Sequence, residues 1–523
     1  MSSLRPLPAA LALFVLASAP ALAGTTAEAV WTLFQDGVQE AGGSLTATAS
    51  RRGNALVLTR GQIDLGDGAT LMLPDFTLRQ SPDGVVTLDL PPRFPLVIDL
   101  PPGPDNPDRL TLSVSAPDLL ASFRDIGPEK IDVAFTASSI SAALDPLDKT
   151  KLSVTAPPDV SFSLAAADVS LTWNSRFAEQ ADSTITARLG LGTLHADMRV
   201  DLPAEKSVGT MTLDLSAITA DLDGLLPAGG AATLDKLEDN SGQNPIPALL
   251  ALLDTGMHLK GKARTGPTAM VFDLPTTPDG PVFMEITLQS AVTEIALDRK
   301  GMLYDIGSGA VSMLFRGRTP EIPVDEFSLA ATEMRETFRL GFPDAATPSP
   351  DWGVLYRFAG LTVSDSLWDL GDPRRTLPRD PMALVLDMTG TYTPDPRLMA
   401  GSWTPGPDEL PFTAAAVTLT EALVQGIGIT VSGTGDLAFD FTDKGARIDG
   451  TPVPEGKLSF LTTGANATID RLSGMGLIPP EDLSSLRFGL MFLGRAVPGQ
   501  TDQLATELEF RDGSFSLNGQ KIR

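Results

Sequence analysis

The sequence predicts a β-rich α+β protein: extended, curved antiparallel sheets built from meanders and hairpins, with a few short amphipathic helices packed on them. Three observations predict it. Apolar and polar residues alternate with a period of two in "NALVLTR", "GVVTLDL", "LTLSVSA", "VSFSLAAADVSLTW", "MTLDLSA", "VFMEITL", "LAFDFTD" and "KLSFLTT", the pattern of strands with one face buried and one wet. The 48 Gly and 43 Pro fall mostly between these runs, where proline removes no ladder hydrogen bond. Segments with helical periodicity are few and short.

The elements follow in chain order. "MSSLRPLPAALALFVLASAPALAG" carries Arg5, an apolar run from Ala9 to Ala17, and Ala21-Leu22-Ala23 before Gly24. The run is too short for a span of about 20 residues. With its small-x-small end it reads as a signal peptide over 1–23, cut after Ala23, and predicts export to the periplasm. "TTAEAVWTLFQDGVQEAGG" then predicts a helix, with Thr25 and Glu28 at capping-box spacing, a stripe of Val30, Phe34 and Val38, and a stop at Gly42-Gly43. "NPIPALLALLDTG" predicts a second helix ending at Gly256, and "SDSLWDLGDP" a short one capped by Ser364. Asn466 is placed to cap "ATIDRLSGM".

The strongest helical signal begins at Pro480, with Glu481 and Asp482 favouring the dipole and a stripe of Leu483, Leu486, Leu490 and Leu493 widened by Phe488, Met491 and Phe492. Such a helix calls for a cover, from the sheet or from a partner. Asp512-Gly513 is a favoured pair for a type I′ turn. It sets Arg511 opposite Ser514, Phe510 opposite Phe515 and Leu508 opposite Leu517 in a terminal hairpin that finishes a larger sheet. Leu508, Phe510, Phe515 and Leu517 then form one apolar face, the expected seat of the helix stripe. The Gly/Asn/Pro-rich stretch 226–247 divides the chain into a helix-plus-meander unit over 24–240 and a second β-rich unit over 241–523.

Composition narrows the chemistry. A net charge of −26 repels nucleic acid and anionic membrane surfaces. With no Cys and two His, His195 and His258, thiol nucleophiles, iron–sulfur clusters and Cys- or His-rich zinc sites are excluded. Both histidines read as ordinary surface or edge residues. "GMHLKGKA" approaches a P-loop, but Ala263 replaces the hydroxyl and the order is helix-to-strand. "GTGDLA" has dinucleotide-type glycines but continues as a strand, so it reads as a Gly-rich hairpin. Asp64 with Asp67, and Asp221 with Asp223, read as solvated acidic turns rather than calcium loops. No catalytic constellation, metal site or cofactor is predicted.

The ordered run of "GTGDLAFDF", "DGTPVPEG", "TGANATIDRL", "GLIPPED", "LRFGLMFLGRAVPG" and "LNGQKIR", with "LTVSDSLWDLGDPRRTLPRDP" and "AEAVWTLFQDGVQEAGGSL" earlier, resembles the secreted bacterial family described as domain of unknown function 2125. The chain departs from the family pattern in its central strands and in its Phe/Leu-rich helix. The resemblance implies export and a long β-rich body, and no activity. More remotely, the layout is similar to AsmA-type envelope proteins, whose curved sheets carry an apolar groove for lipid, an analogy of fold alone. The expected function is therefore non-enzymatic binding of lipid or another apolar ligand in the cell envelope. The alternatives are a structural or protein-interaction factor in envelope assembly and, behind both, a hydrolase using loop carboxylates.

Overall fold

A computed structural model describes residues 25–522 apart from 66–67, 102–108, 128, 148–157, 179–180, 204–205, 231–232, 235–245, 278–279, 318–322, 404–409, 443–446 and 449–450. Among the described residues its strands, paired antiparallel, far outweigh the few short helices, so the class is β-rich α+β. The signal peptide with Ala21, Ala23 and Gly24, most of the stretch 226–247, and Asp67 lie outside the described residues. Contacts group the chain into two compact units, one running to Ala228 and taking up Arg264–Phe283, the other made of Gly229–Ala263 and Met284–Arg523.

The first unit opens with helix α1 (Ala27–Glu40). Its cap is Thr26, whose hydroxyl accepts from the Ala29 N–H at 3.1 Å, one residue later than the sequence suggested. Thr25 is taken by the sheet, where its Oγ1 accepts from the Ile126 N–H at 2.9 Å. Glu28 pairs with Arg51 at 2.7 Å instead of closing a capping box. The helix buries Val30, Trp31 and Leu33 among Leu58, Phe76, Leu78, Val86 and Phe123, with Phe34 and Val38 packed at the margin. Trp31 lies against Phe76 and Phe34 meets Phe123 edge-on at 5.4 Å. Beyond this core the strands lengthen, and Lys130–Leu144, Asp159–Arg176, Ser183–Leu202, Ser207–Leu226 and Thr268–Thr276 pair in that order. Asp221 and Asp223 fall inside the strand Ser207–Leu226, not in a turn, and Asp221 sits 3.6 Å from Arg188 across the ladder.

In the second unit, α2 (Ile246–Asp254) ends where predicted, at Gly256 in the left-handed region. Ten strands then pair each with the next: Ala291–Asp298, Gly301–Ser308, Glu333–Gly341, Asp351–Val363, Met382–Pro394, Phe412–Gly426, Ile429–Asp440, Glu455–Thr463, Gln503–Arg511 and Ser514–Leu517. The last two form the expected hairpin in the expected register, with Asp512 and Gly513 both at positive φ. Phe510 and Phe515 stack at 5.2 Å. The glycines of "GTGDLA" lie within the strand Ile429–Asp440, and the hairpin turn is Ile427-Gly428.

Helices α3 (Asp365–Gly371) and α4 (Pro396–Met399) sit in the strand connections. Ser364 starts α3 without a side-chain cap, because its hydroxyl accepts from the Ser328 N–H instead. Helix α5 (Ala465–Gly474) begins after Gly464, and Asn466 is not its cap. Asp502, thirty-six residues away in sequence from Asn466, does that work: its carboxylate accepts from the Asn466 and Ala467 N–H groups at 3.0 and 2.9 Å. Burial pushes the Asp502 carboxyl up, but these donors together with the Asn466 side-chain amide outweigh it and hold the carboxyl below its ordinary value. A carboxyl so depressed adds stability above its unfolded pKa, and the gain disappears as pH falls through the lower folded value. Asp502→Ala is therefore expected to cost about 1 kcal/mol at pH 7, and less near pH 3, in urea unfolding. An equal loss at both pH values would contradict the capping role.

Candidate apolar binding face

Residues paired directly across a ladder point to the same side of the sheet, so the registers of the ten-strand run define its two faces. One row reads Ile295, Tyr304, Phe338, Val354, Met388, Leu419, Gly435, Leu458, Leu508, Leu517. The row beside it reads Leu297, Met302, Leu340, Trp352, Gly390, Val417, Leu437, Gly456, Phe510, Phe515. One bulge, an extra residue in the strand Phe412–Gly426 between Leu419 and Ala422, shifts the register with both neighbouring strands, so the apolar side does not flip midway.

The opposite side is polar and tied together. Glu294, Asp305 and Thr337 are successive partners. Arg335 grips Asp305 with two hydrogen bonds, at 2.9 and 2.8 Å, and the Thr337 hydroxyl donates to the same carboxylate at 2.8 Å. Lys262 pairs with Glu294, and Arg357 with Glu421 at 3.0 Å. The Arg335 guanidinium, with help from Thr337, holds the Asp305 carboxyl below the usual carboxylate range against the upward push of burial.

Over the strands Ile429–Asp440 and Glu455–Thr463 the polar side is the more exposed, and Leu419 and Leu517 on the apolar side are buried, but at the middle of the run the order is locally reversed. Tyr356, Leu384 and Val424 on the apolar side are 48%, 55% and 51% exposed, whereas Asp305 and Val385 on the polar side are 8% and 2% exposed. Leu384 and Val424 are a direct cross-strand pair, so the exposure is a patch. Isolated exposed apolar residues are ordinary, but a contiguous apolar area marks a binding surface.

The residues singled out in the sequence divide between two places. Leu508, Phe510, Phe515 and Leu517 lie on this apolar face, at its C-terminal end. Leu483, Leu486, Leu490 and Leu493 belong to α6 (Pro480–Leu493), which packs on α5 and on the short strand Arg495–Ala496. Its stripe is not buried on the hairpin: Phe488 and Met491 are 68% and 72% exposed, and Leu486 and Leu493 are exposed as well. The central members of the face, from Ile295 to Val424, were missed in the sequence. Their alternation was legible, but the pairing that aligns ten strands was not.

His195 stands between two carboxylates on the polar side of the first unit, Nδ1 at 2.6 Å from Asp214 and Nε2 at 2.6 Å from Asp197. Hydrogen bonds to Asp214, then Asp197, raise its pKa against the opposing effect of burial. His258 lies beside the Gly256 carbonyl at 3.1 Å. Among the described residues, no three His, Asp or Glu side chains converge as a metal would require, and no helix is long and apolar enough to cross a membrane.

Comparison with known proteins matches residues 274–522 to the model of a family described as an uncharacterized protein conserved in bacteria, domain of unknown function 2125. The match contains all ten strands of the run, while the N-terminal stretch 27–45 lies outside it. No curated protein and no solved structure matches the chain.

Proposed function

Because residues 274–522 belong to this bacterial family of uncharacterized proteins, we propose that the protein is exported to the periplasm and binds lipid acyl chains, or another apolar ligand, along the apolar face of its ten-strand run. The observation that carries the reading is the exposure of Tyr356, Leu384 and Val424 on the side of the sheet where every full-length row is apolar. The backbone beneath is satisfied by its own ladders, so a ligand lying there has no hydrogen bonds to supply. An acyl chain meets that condition, and each methylene it removes from water is worth about 0.8 kcal/mol. The polar side is internally paired and offers such a ligand nothing.

Native mass spectrometry of protein purified from its own periplasm tests the reading, with co-purifying lipid as the expected result. Leu384→Asp is expected to reduce the lipid retained several-fold while leaving thermal unfolding nearly unchanged, since the site is exposed. Consistent absence of lipid from the wild-type protein overturns the proposal. A second reading, as a protein-interaction factor in envelope assembly, is favoured by a different observation, the exposed Phe488 and Met491 of α6. Crosslinking from α6 to an envelope protein, without bound lipid, would support it.

A further inference from the structure

One position breaks the apolar side. The third row of the face reads Thr293, Ile306, Glu336, Tyr356, Leu386, Ala422, Gly433, Phe460, Thr506. Across the three rows, Glu336 is the one charged residue. It is exposed, and its side-chain carboxylate makes no hydrogen bond or ion pair among the described residues. Its strand is central, paired on both sides by Gly301–Ser308 and Asp351–Val363, so the carboxylate is not an edge guard against aggregation.

Its neighbours are specific. Of the three tyrosines in the chain, Tyr356 is the direct partner of Glu336, and Tyr304 is diagonal to it, next to Ile306 along the same strand face. Direct partners on a sheet lie about 4.5–5.5 Å apart at Cβ and diagonal ones about 7–8 Å. Tyr356 and Tyr304 are 48% and 38% exposed. A carboxylate framed by two accessible phenol rings supplies both attractions that recognise an organic cation, the ion pair and the face of an aromatic ring. A net charge of −26 adds to the same preference.

We propose that Glu336, Tyr356 and Tyr304 form a head-group site for a lipid bearing an ammonium group, whose acyl chains lie over Phe338, Val354 and Leu386. This rests on the reading of the face as lipid-binding. The site selects amine-bearing glycerophospholipids over anionic ones, since an anionic head group beside Glu336 is repelled.

The test exposes the full chain, stripped of lipid, to vesicles of equimolar phosphatidylethanolamine and phosphatidylglycerol. The protein is re-isolated and its retained lipid quantified by mass spectrometry. The wild type is expected to retain phosphatidylethanolamine with about tenfold preference. Glu336→Gln is expected to bring the ratio near one, and Tyr356→Leu to lower it several-fold. Asp436→Asn, on the opposite side of the sheet, serves as the control and should leave the ratio unchanged. Lipid retained without head-group preference, or with the same preference in Glu336→Gln, overturns the head-group site while leaving acyl binding intact. No lipid retained by the wild type overturns both.

Discussion

Leu58→Ala is expected to destabilise the first unit by about 3 kcal/mol, near the middle of the range for emptying a buried leucine site. Leu58 is fully inaccessible on the strand Ala55–Asp64, and its ladder partner is Phe76. It shares its core with Val30 from α1 and with Leu78 and Val86 from the neighbouring strands. The site is held on several sides, so it cannot collapse around a smaller side chain, and the cavity term adds to the lost transfer energy. Hydrogen exchange followed by mass spectrometry, with urea unfolding, should show lost protection in residues 27–80. A shift below about 0.5 kcal/mol, the range of surface substitutions, would mean that α1 is not docked on these strands.

Gly390→Val is expected to be at least as damaging, about 3 kcal/mol or more, for the opposite reason. A Cβ at Gly390 would lie 1.9 Å from the Ala416 carbonyl oxygen and 2.8 Å from the Trp352 Nε1. The first of these is backbone, and it belongs to the strand Phe412–Gly426 hydrogen-bonded alongside. Relief therefore requires two strands to part. Gly489→Ala is the matched control: nothing lies within 4 Å of its added Cβ, and the residue is inside α6. Replacing a helical glycine in open space gains up to about 1 kcal/mol, so this variant should unfold at a slightly higher temperature. If Gly390→Val matched it, the close approach of these strands would be refuted.

Some of this architecture was plain in the amino-acid order. The terminal hairpin formed in the register read from Asp512-Gly513, because a type I′ turn, with positive φ at both central residues, matches the twist of the two strands it joins. The end of α2 at Gly256 and the start of α6 at Pro480 follow from equally local rules. The cap of α1 was misplaced by one residue because Thr25 and Thr26 are equivalent locally, and the choice is made by a hydrogen bond to Ile126, a hundred residues on. Asp221 and Asp223 resemble a turn beside their glycine, yet the long ladder with Ser183–Leu202 carries them through as strand. Of the candidate surface, the hairpin residues could be grouped because their contacts are local. Tyr356 and Leu384 could not, because their neighbours across the sheet lie far along the chain.

What the sequence by itself determined is therefore the class of each segment: period-two strands, a few helices with their ends, a chain without thiol chemistry and with a large negative charge. Those follow from backbone sterics, capping and composition, all of which act within a few residues. The tertiary structure alone decided which strands lie side by side, which face each one turns to the solvent, and that Asp502 caps a helix it does not precede. Alternation marks two faces on every strand without saying which is covered, since burial depends on what lies opposite. In the middle of the ten-strand run the apolar face stays accessible at Tyr356, Leu384 and Val424, although Leu419 and Leu517 on the same face are buried, and that local reversal, invisible in any one strand, is what makes the surface a candidate site.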